Sequence, residues 1–273
     1  MRPERADIAA PELPGRIRWI GGDVPAMAEL TATGPVLVHF FDFAQLNSVR
    51  SLPYVREWDA RYRDLGLTTL GIHSPRFRFT AERTAVDAGV AALGIDYRVA
   101  DDSGYSIWHD YGTQGWPSLF LWGRGGALAW VHFGEGEYRG TEEAIQDSLR
   151  TEDVTATLPE PMAPLRPTDA PGALVRPPSA EHFPGGSPAE PWSPGAPDDA
   201  LELEYEAGGS WVVADGKGEL RIALDGAPAV AVEVGPRGLH RIAEHPRHER
   251  HQVRIEADPG VRVWAVSFEP GLP

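Results

Sequence analysis

The feature that most constrains the fold is the run PVLVHFFD at residues 35–42, which is apolar at almost every position. A strand without polar alternation is typical of the interior of a sheet that is covered on both faces. Asn47 or Ser48 is placed to cap a helix that follows at once. That helix is indicated by apolar residues three and four positions apart, namely Val49, Leu52, Val55, Trp58 and Tyr62.

The remainder of residues 1–155 alternates between strand and helix patterns. This alternation predicts an α/β domain, in which a mixed sheet is covered by helices on both sides. One helix is expected to begin at Thr80 and to stop at Gly94. In chain order the predicted elements are a strand (66–72), a helix (80–93), a short helix (103–111), two hairpin strands (118–123 and 127–133) and a helix (141–149).

Composition changes twice after this domain. Residues 159–197 hold twelve of the 26 prolines, so residues 156–197 are predicted to be a proline-rich linker or arm. Residues 198–273 show only short alternating runs broken by Gly, Pro and Asp, which predicts an all-β sandwich of the jelly-roll kind. The predicted strands are 201–206, 210–214, 219–224, 229–234, 238–243, 251–257 and 261–268.

Charge and cysteine content exclude several functions. The net charge of −15 leaves no basic patch for nucleic acid. The absence of cysteine removes disulfides, thiolate metal sites and thiol–disulfide oxidoreductase activity. No run is long enough for a signal peptide or a membrane helix, so we expect no membrane partner and a cytoplasmic location. No pattern predicts a cofactor.

Several segments resemble the TlpA/DipZ-like branch of the thioredoxin family. NSVRSLPYV at 47–55 is similar to the family's N-C-L-R-T-L-P-Y-V around its second active-site cysteine. EADPGVRVWAVSF at 256–268 resembles the last strands of the family's carboxy-terminal β-domain. The other matches are GIHSPRFRF at 71–79, IWHDYGTQGWPSLFL at 107–121 and HFGEGEY at 132–138.

The resemblance implies a thioredoxin-like domain with a cis Trp116–Pro117 bond and a substrate groove, but with Gln45 and Ser48 at the two cysteine positions. Gln45, Ser48, His73, Trp116 and Pro117 are expected to line the groove, which could hold a peptide by strand addition or another small ligand. The alternative is a turn that is retained only because it folds. The first hypothesis is therefore a non-redox binding or accessory protein.

Whether the chain is an enzyme stays open at this stage. Non-thiol acid–base chemistry in the same groove would use His73, Asp42 or Glu135. Ser48 as a nucleophile would need His73 or His39 as its base. His73, Asp42, Glu135 and His132 have no metal-ligand spacing, so no metal is predicted.

Two features of the β-domain have alternative interpretations. His240, His245, His248 and His251 indicate a solvated β-turn rather than a metal site, although they could make the surface sensitive to pH. Trp192, Trp211 and Trp264 could form a carbohydrate-binding surface. The competing interpretation places Trp264 in the core and uses Trp192 to pin the proline-rich arm.

Overall fold

A computed structural model describes residues 1–3, 8–152, 155, 157–196 and 198–273. The chain packs as two compact units. The first comprises Met1–Pro75 and Val86–Ala163, and the second comprises Arg76–Ala85 and Pro164–Pro273. Residues 76–85, which include the first three residues of the helix Arg83–Ala92, thus group with the second unit although the residues on either side belong to the first.

The first unit is built on a six-stranded mixed sheet. The elements are β1 (Arg18–Ile20), α1 (Met27–Thr33), β2 (Val36–Phe41), α2 (Leu46–Tyr62), β3 (Thr68–His73), α3 (Arg83–Ala92), β4 (Arg98–Asp101), α4 (Ser106–Asp110), β5 (Ser118–Trp122), β6 (Leu128–Phe133) and α5 (Tyr138–Glu152). The strand order is β1-β4-β3-β2-β5-β6. The central strands β2, β3 and β4 run parallel, and the other neighbours are antiparallel.

Strand β2 is buried along its whole length, which confirms the interpretation of the apolar run. Phe40 packs on one face of the sheet in a cluster with Leu70 and Tyr111. Residues of α2 such as Trp58 are wholly buried. Burying an aromatic or aliphatic side chain of this size contributes about 1.5–3 kcal/mol each. The α/β thioredoxin-like fold predicted for this region is confirmed.

The helix expected to begin at Thr80 begins instead at Arg83. Thr80 lies in a short 3₁₀ helix, Arg78–Ala81, and its hydroxyl donates to the Phe77 carbonyl oxygen at 2.9 Å. The side chain that appeared to start the helix therefore closes the preceding turn, because a threonine hydroxyl can satisfy either backbone arrangement.

The second unit contains a five-stranded antiparallel sheet with the order β11-β7-β10-β8-β9. Its all-β fold is as predicted and is consistent with a sandwich. Its apolar core includes Tyr205, Val253 and Phe268. The strands are β7 (Ala200–Gly216), β8 (Glu219–Leu224), β9 (Val230–Glu233), β10 (Gly238–Ala257) and β11 (Val261–Glu269).

Two pairs of short strands predicted from the sequence are single long strands. Residues 201–206 and 210–214 both belong to β7, and 238–243 and 251–257 both belong to β10. The glycine at 208 suggested a break, but a Cβ there would meet the Gly271 Cα at 2.6 Å. The glycine therefore permits close approach of two backbones inside the strand instead of forming a turn.

The proline-rich arm lies along the outer edge of β11. Arg176, His182 and Trp192 form isolated bridges with Gly271, Val266 and Val263. Trp192 also packs against the core of the second unit, so its predicted role in pinning the arm is confirmed. The predicted domain bounds (1–155, 156–197 and 198–273) stay a prediction. In the packing of the described chain, residues 164–196 group with the second unit.

Within the ranges that the structure describes, no helix has both the length and the apolar character needed to cross a bilayer.

Candidate functional site

The candidate site lies where the carboxyl ends of β2 and β3 meet the start of α2 and the loop before β5. This placement follows from the parallel pairing of β2 with β3, which sets Phe41 beside His73. The chain leaves β2 through residues 42–45 and enters α2 at Leu46.

Gln45 and Ser48 both bond to the backbone of the turn. Gln45 is the N-cap of α2, and its Oε1 accepts from the Ser48 N–H at 2.7 Å. The Ser48 Oγ accepts from the Asp42 N–H at 3.3 Å. Ser48 is fully buried and Gln45 is 7% exposed. The two side chains at the thiol positions are therefore caps of the turn and the helix.

Asp42 completes this arrangement. Its Oδ1 accepts from the Ala44 N–H at 2.6 Å, while its carbonyl oxygen accepts from the Gln45 N–H at 3.1 Å. An aspartate that bonds to the backbone two residues ahead mimics a backbone turn. Asp42 is fully buried, so this carboxylate has a structural task in the turn.

His73 is fully buried, and neither of its ring nitrogens has a hydrogen-bond partner among the described residues. Its ring stacks on Phe43 with centroids 5.2 Å apart and meets Phe41 edge-on. Burial lowers the pKa of His73, and the nearby Asp42 and Asp101 carboxylates oppose that shift only in part. The imidazole is therefore neutral near neutral pH.

Glu135, the third acid–base candidate, forms an ion pair with Arg50 in which one N–H is shared between both carboxylate oxygens. Arg50 Nε lies 2.8 Å and 2.9 Å from its two carboxylate oxygens, and the Tyr138 hydroxyl donates to it at 3.0 Å. The Arg50 side chain is almost buried. Both carboxylate oxygens of Glu135 are thus occupied as acceptors by neighbouring side chains.

Among the residues that the structure describes, no base is hydrogen-bonded to Ser48. His39 approaches Ser51 instead, with 3.5 Å between Nε2 and Oγ, and Ser51 donates to the Ser48 carbonyl oxygen. Burial lowers the pKa of His39 to about 3. The nucleophile hypothesis required a histidine within hydrogen-bond reach of Ser48, and the described geometry supplies none.

The loop before β5 carries the part of the site that is accessible. The Trp116–Pro117 bond is cis, as the resemblance implies. Trp116 is half-buried, and its Nε1 donates to the Ser74 carbonyl oxygen at 2.8 Å. Pro117 is buried, and its carbonyl oxygen accepts from the Gly134 N–H at 2.8 Å.

Trp116, Trp108 and Tyr105 form a continuous group of half-buried rings, which we call the aromatic surface. The centroids of Trp108 and Trp116 are 4.4 Å apart, and those of Tyr105 and Trp108 are 5.9 Å apart. The Tyr105 hydroxyl donates to the Pro75 carbonyl oxygen. Of the five predicted groove residues, only Trp116 belongs to the aromatic surface and is partly exposed to solvent. The other four are buried.

Sequence reasoning missed Asp102, which holds the aromatic surface in place. Its carboxylate accepts from the Trp108 N–H at 2.9 Å and from the Ile107 N–H, Ser106 Oγ and Ser74 Oγ at 3.1 Å each. The N-cap position of α4 is Tyr105, and Asp102, three residues earlier, accepts from N–H groups in the first turn of the helix, which the DSGYS spacing could have indicated. Tyr105 and Trp108 appear in the sequence only as members of a short helix.

Among the described residues, no group of three or more His, Cys, Asp or Glu side chains is arranged to hold a metal ion.

In the second unit, the interpretation of the histidine cluster as a β-turn is wrong. His240, His245, His248 and His251 all lie within β10, which passes through a register shift between Glu244 and Glu249. The additional residues at this register shift have a composition typical of turns, which is why the sequence indicated a turn here. His245 and His251 stack with centroids 3.6 Å apart.

The three tryptophans of the carbohydrate hypothesis make different contacts in the structure. Trp264 is buried and donates to the Asp215 Oδ1 at 2.8 Å, which confirms its core position. Trp211 is half-buried beneath the Arg241 guanidinium, 4.7 Å from the ring centroid. Trp192 packs on the core, as described above.

This chain is similar to Protein DipZ. Protein DipZ of Mycobacterium tuberculosis is 26% identical to it over 295 residues, which cover 95% of this chain and 42% of the relative, and Protein DipZ of Mycobacterium bovis matches equally. The chain thus spans less than half the length of these curated relatives. NHL repeat-containing protein 2 of Gallus gallus is 28% identical over 138 residues, or 50% of this chain and 19% of the relative.

No family model matches the chain. Among solved structures, a putative thiol:disulfide interchange protein DsbE from Chlorobium tepidum matches with 21% identity and a TM-score of 0.44, covering 52% of this chain and 95% of its own. A thiol-disulfide isomerase from Corynebacterium glutamicum matches with 20% identity and a TM-score of 0.46, covering 54% and 98%.

Proposed function

We propose that this chain is a non-redox, thioredoxin-like binding or accessory protein that holds an extended peptide segment on its aromatic surface. A thioredoxin-like fold without cysteine fits a non-redox role. The observation that carries the non-redox part of the proposal is that Gln45 and Ser48, which have no sulfur for thiol–disulfide exchange, bond instead to the backbone of the turn.

The aromatic surface supports the binding part of the proposal. Three half-buried rings, with Trp108 in contact with each of the other two, offer large apolar area at low cost in side-chain entropy. Trp116 and Tyr105 are both fixed by hydrogen bonds to backbone carbonyl oxygens, so the surface is organised before a ligand arrives. A small-molecule ligand at the same surface is the other occupant that the sequence predicts.

The binding test uses the full chain and a permanently unfolded probe, reduced and carboxymethylated α-lactalbumin. We expect the indole resonances of Trp108 and Trp116 to shift when the probe is added, and a Trp108→Leu variant to weaken the interaction. Trp211→Leu, in the other unit, is the matched control and should bind as the unchanged chain does. Equal binding by both variants, or no binding at all, would refute the proposal.

The redox test restores the missing chemistry. The unchanged chain should not accelerate the reduction of insulin by dithiothreitol, whereas a Gln45→Cys, Ser48→Cys double variant should do so. Electron transfer by the unchanged chain would contradict the non-redox assignment. Failure of the double variant, despite correct folding, would show that the turn is no longer a groove that accepts disulfide substrates.

One observation favours a second candidate function, an enzyme with acid–base chemistry at His73. A fully buried imidazole with a lowered pKa and two unpartnered nitrogens is the kind of group that active sites contain. A substrate turnover with a bell-shaped pH dependence that disappears in His73→Ala would support it. Retained turnover in that variant would exclude this role.

The carbohydrate hypothesis and the cytoplasmic location stay predictions. Glycan binding by the full chain that is lost in Trp211→Ala would favour the former. Cell fractionation would test the latter.

A further inference from the structure

We propose that a cavity at the amino ends of β3 and β4 binds a small zwitterion with a polar side chain, that is, a free polar amino acid. The cavity has a volume of about 280 Å³. All of its lining residues belong to the first unit. They come from the segment after β1, the end of α2, the start of β3 and the segment that leads into β4, and include Gly21, Asp59, Thr69, Tyr97 and Arg98.

The cavity lies at the end of the sheet opposite to the candidate site. β3 and β4 pair in parallel, with Leu70 beside Arg98 at the start of the pairing and His73 at its end. Thr69 and Tyr97, which line the cavity, come directly before the first of these pairs. Thr69 precedes His73 by four residues, and a strand rises about 3.3 Å per residue, so the two sites are separated by about 13 Å of β3.

Two buried hydroxyl groups in the lining, those of Thr69 and Tyr97, have no hydrogen-bond partner among the described residues. The two residues are only 4% and 7% exposed. Burial, together with the nearby Asp59 carboxylate, raises the pKa of the Tyr97 hydroxyl, and Arg56 opposes this shift only in part. The hydroxyl therefore keeps its proton and can donate. Buried polar groups are nearly always paired in folded proteins, so two unpaired hydroxyls at one cavity indicate that a ligand supplies their partners.

The lining also carries balanced charge. Asp59 is nearly buried, with its side chain 6% exposed, and forms an ion pair with Arg63. Asp96 and Arg98 line the same cavity and are exposed to solvent. Two carboxylates and two guanidinium groups leave no net charge. Such a lining complements a ligand that carries one charge of each sign better than it complements an anion or a cation alone.

The groups of a polar amino acid match this lining one by one. A guanidinium such as that of Arg98 can bind a carboxylate through two parallel N–H bonds, and the Asp96 carboxylate can accept from an ammonium group. A polar side chain of the ligand supplies the partners that the hydroxyls of Thr69 and Tyr97 lack. An apolar side chain would leave both hydroxyls unpaired, and unpaired buried groups are what makes a polar site reject an apolar analogue. The volume suits a ligand of this size, since ligand pockets in general occupy about 300–1,000 Å³.

The test titrates the full chain with L-glutamine and follows binding by calorimetry and by the amide NMR resonances. We expect saturable binding, with shifts at Thr69 and Tyr97. L-Leucine carries the same two charges on an apolar side chain, and it should bind at least about tenfold more weakly. L-Glutaminamide lacks the carboxylate and N-acetyl-L-glutamine lacks the ammonium group, so each should also bind at least about tenfold more weakly.

Two variants test the lining itself. Tyr97→Phe removes only the hydroxyl and should weaken glutamine binding about tenfold. Tyr111→Phe is the matched control, because the Tyr111 hydroxyl is also buried and unpartnered among the described residues, but packs in the cluster with Phe40 and Leu70. It should bind glutamine as the unchanged chain does. Arg98→Gln, a change at an exposed position, should weaken the binding of glutamine but leave the affinity for glutaminamide unchanged, because that probe has no carboxylate to lose.

Absence of saturable glutamine binding, or equal binding of glutamine and leucine, would overturn the proposal. Equal weakening by Tyr97→Phe and Tyr111→Phe would do so as well, as would shifts confined to the aromatic surface. The site does not depend on the proposed function, since the test with the unfolded probe reports on Trp108 and Trp116. Glutamine binding without probe binding would leave this site standing and refute the proposed function, and the reverse result would do the opposite.

Discussion

The buried His39 predicts how the stability of the chain depends on pH. His39 lies in the middle of β2, is fully buried, and its Nδ1 has no hydrogen-bond partner in the described parts of the chain. Burial lowers the pKa of its imidazole from 6.5 to about 3. The folded state therefore keeps His39 neutral over a range where the unfolded chain protonates it.

The sign and the size of this pH dependence of the free energy of unfolding follow from proton linkage. Because the folded pKa is depressed, the stability associated with His39 is fully present above the ordinary histidine pKa and is lost as the pH falls through the window between the two pKa values. Each pKa unit is worth about 1.4 kcal/mol, so roughly 2 kcal/mol should be lost between about pH 7 and about pH 5.

The assay compares urea unfolding of the unchanged chain and His39→Leu at these two pH values. The variant cannot protonate, so its loss of stability on acidification should be smaller by about 2 kcal/mol. Thr69→Val, a buried change on the neighbouring strand β3 that removes no titrating group, is the control and should keep the full pH dependence. Parallel curves for the unchanged chain and His39→Leu would refute the reasoning.

Two other substitutions test particular contacts. Gly89→Ala places a Cβ 2.5 Å from the ring of Phe43 and should destabilise the chain by about 1–3 kcal/mol in urea unfolding, whereas Gly104→Ala, with nothing within 4 Å, should change little. A stable Gly89→Ala chain would show that Phe43 can move aside. Burial and the stacked His251 lower the pKa of His245, so His251→Asn should raise the His245 pKa in an NMR titration. An unchanged or lower value would contradict the effect of the stacked pair.

The strand–helix framework could be predicted from the sequence because it depends on local apolar patterns. The run at 35–42 has no polar alternation, so only an interior strand fits it, and the helical spacing after Asn47 is equally clear. The cap of α2 was predicted at Asn47 or Ser48, but the structure has Gln45 as the N-cap, and there is a physical reason why the sequence could not decide this. Whether a polar side chain faces a groove or caps its own helix depends on a single rotamer choice.

Contacts between residues distant in sequence explain the other two predictions that differ from the structure. Gly208 marked a strand break in the sequence, but the close approach of Gly271, more than sixty residues later, makes it an interior strand residue. Thr80 indicated a helix start, yet the segment around it packs with the second unit. In both cases the local pattern was compatible with two structures, and contacts with residues distant in sequence selected one of them.

The caps explain how this turn remains ordered without thiols. Replacing a good N-terminal cap typically costs about 0.5–2 kcal/mol, and here the N-cap is Gln45, while Ser48 and Asp42 each accept from a further backbone N–H of the turn. A cysteine pair would remove two of these three acceptors, because sulfur accepts hydrogen bonds only weakly. The polar groups that prevent redox chemistry here are therefore the same groups that stabilise the start of α2, so regaining thiols at both positions should carry a cost in stability.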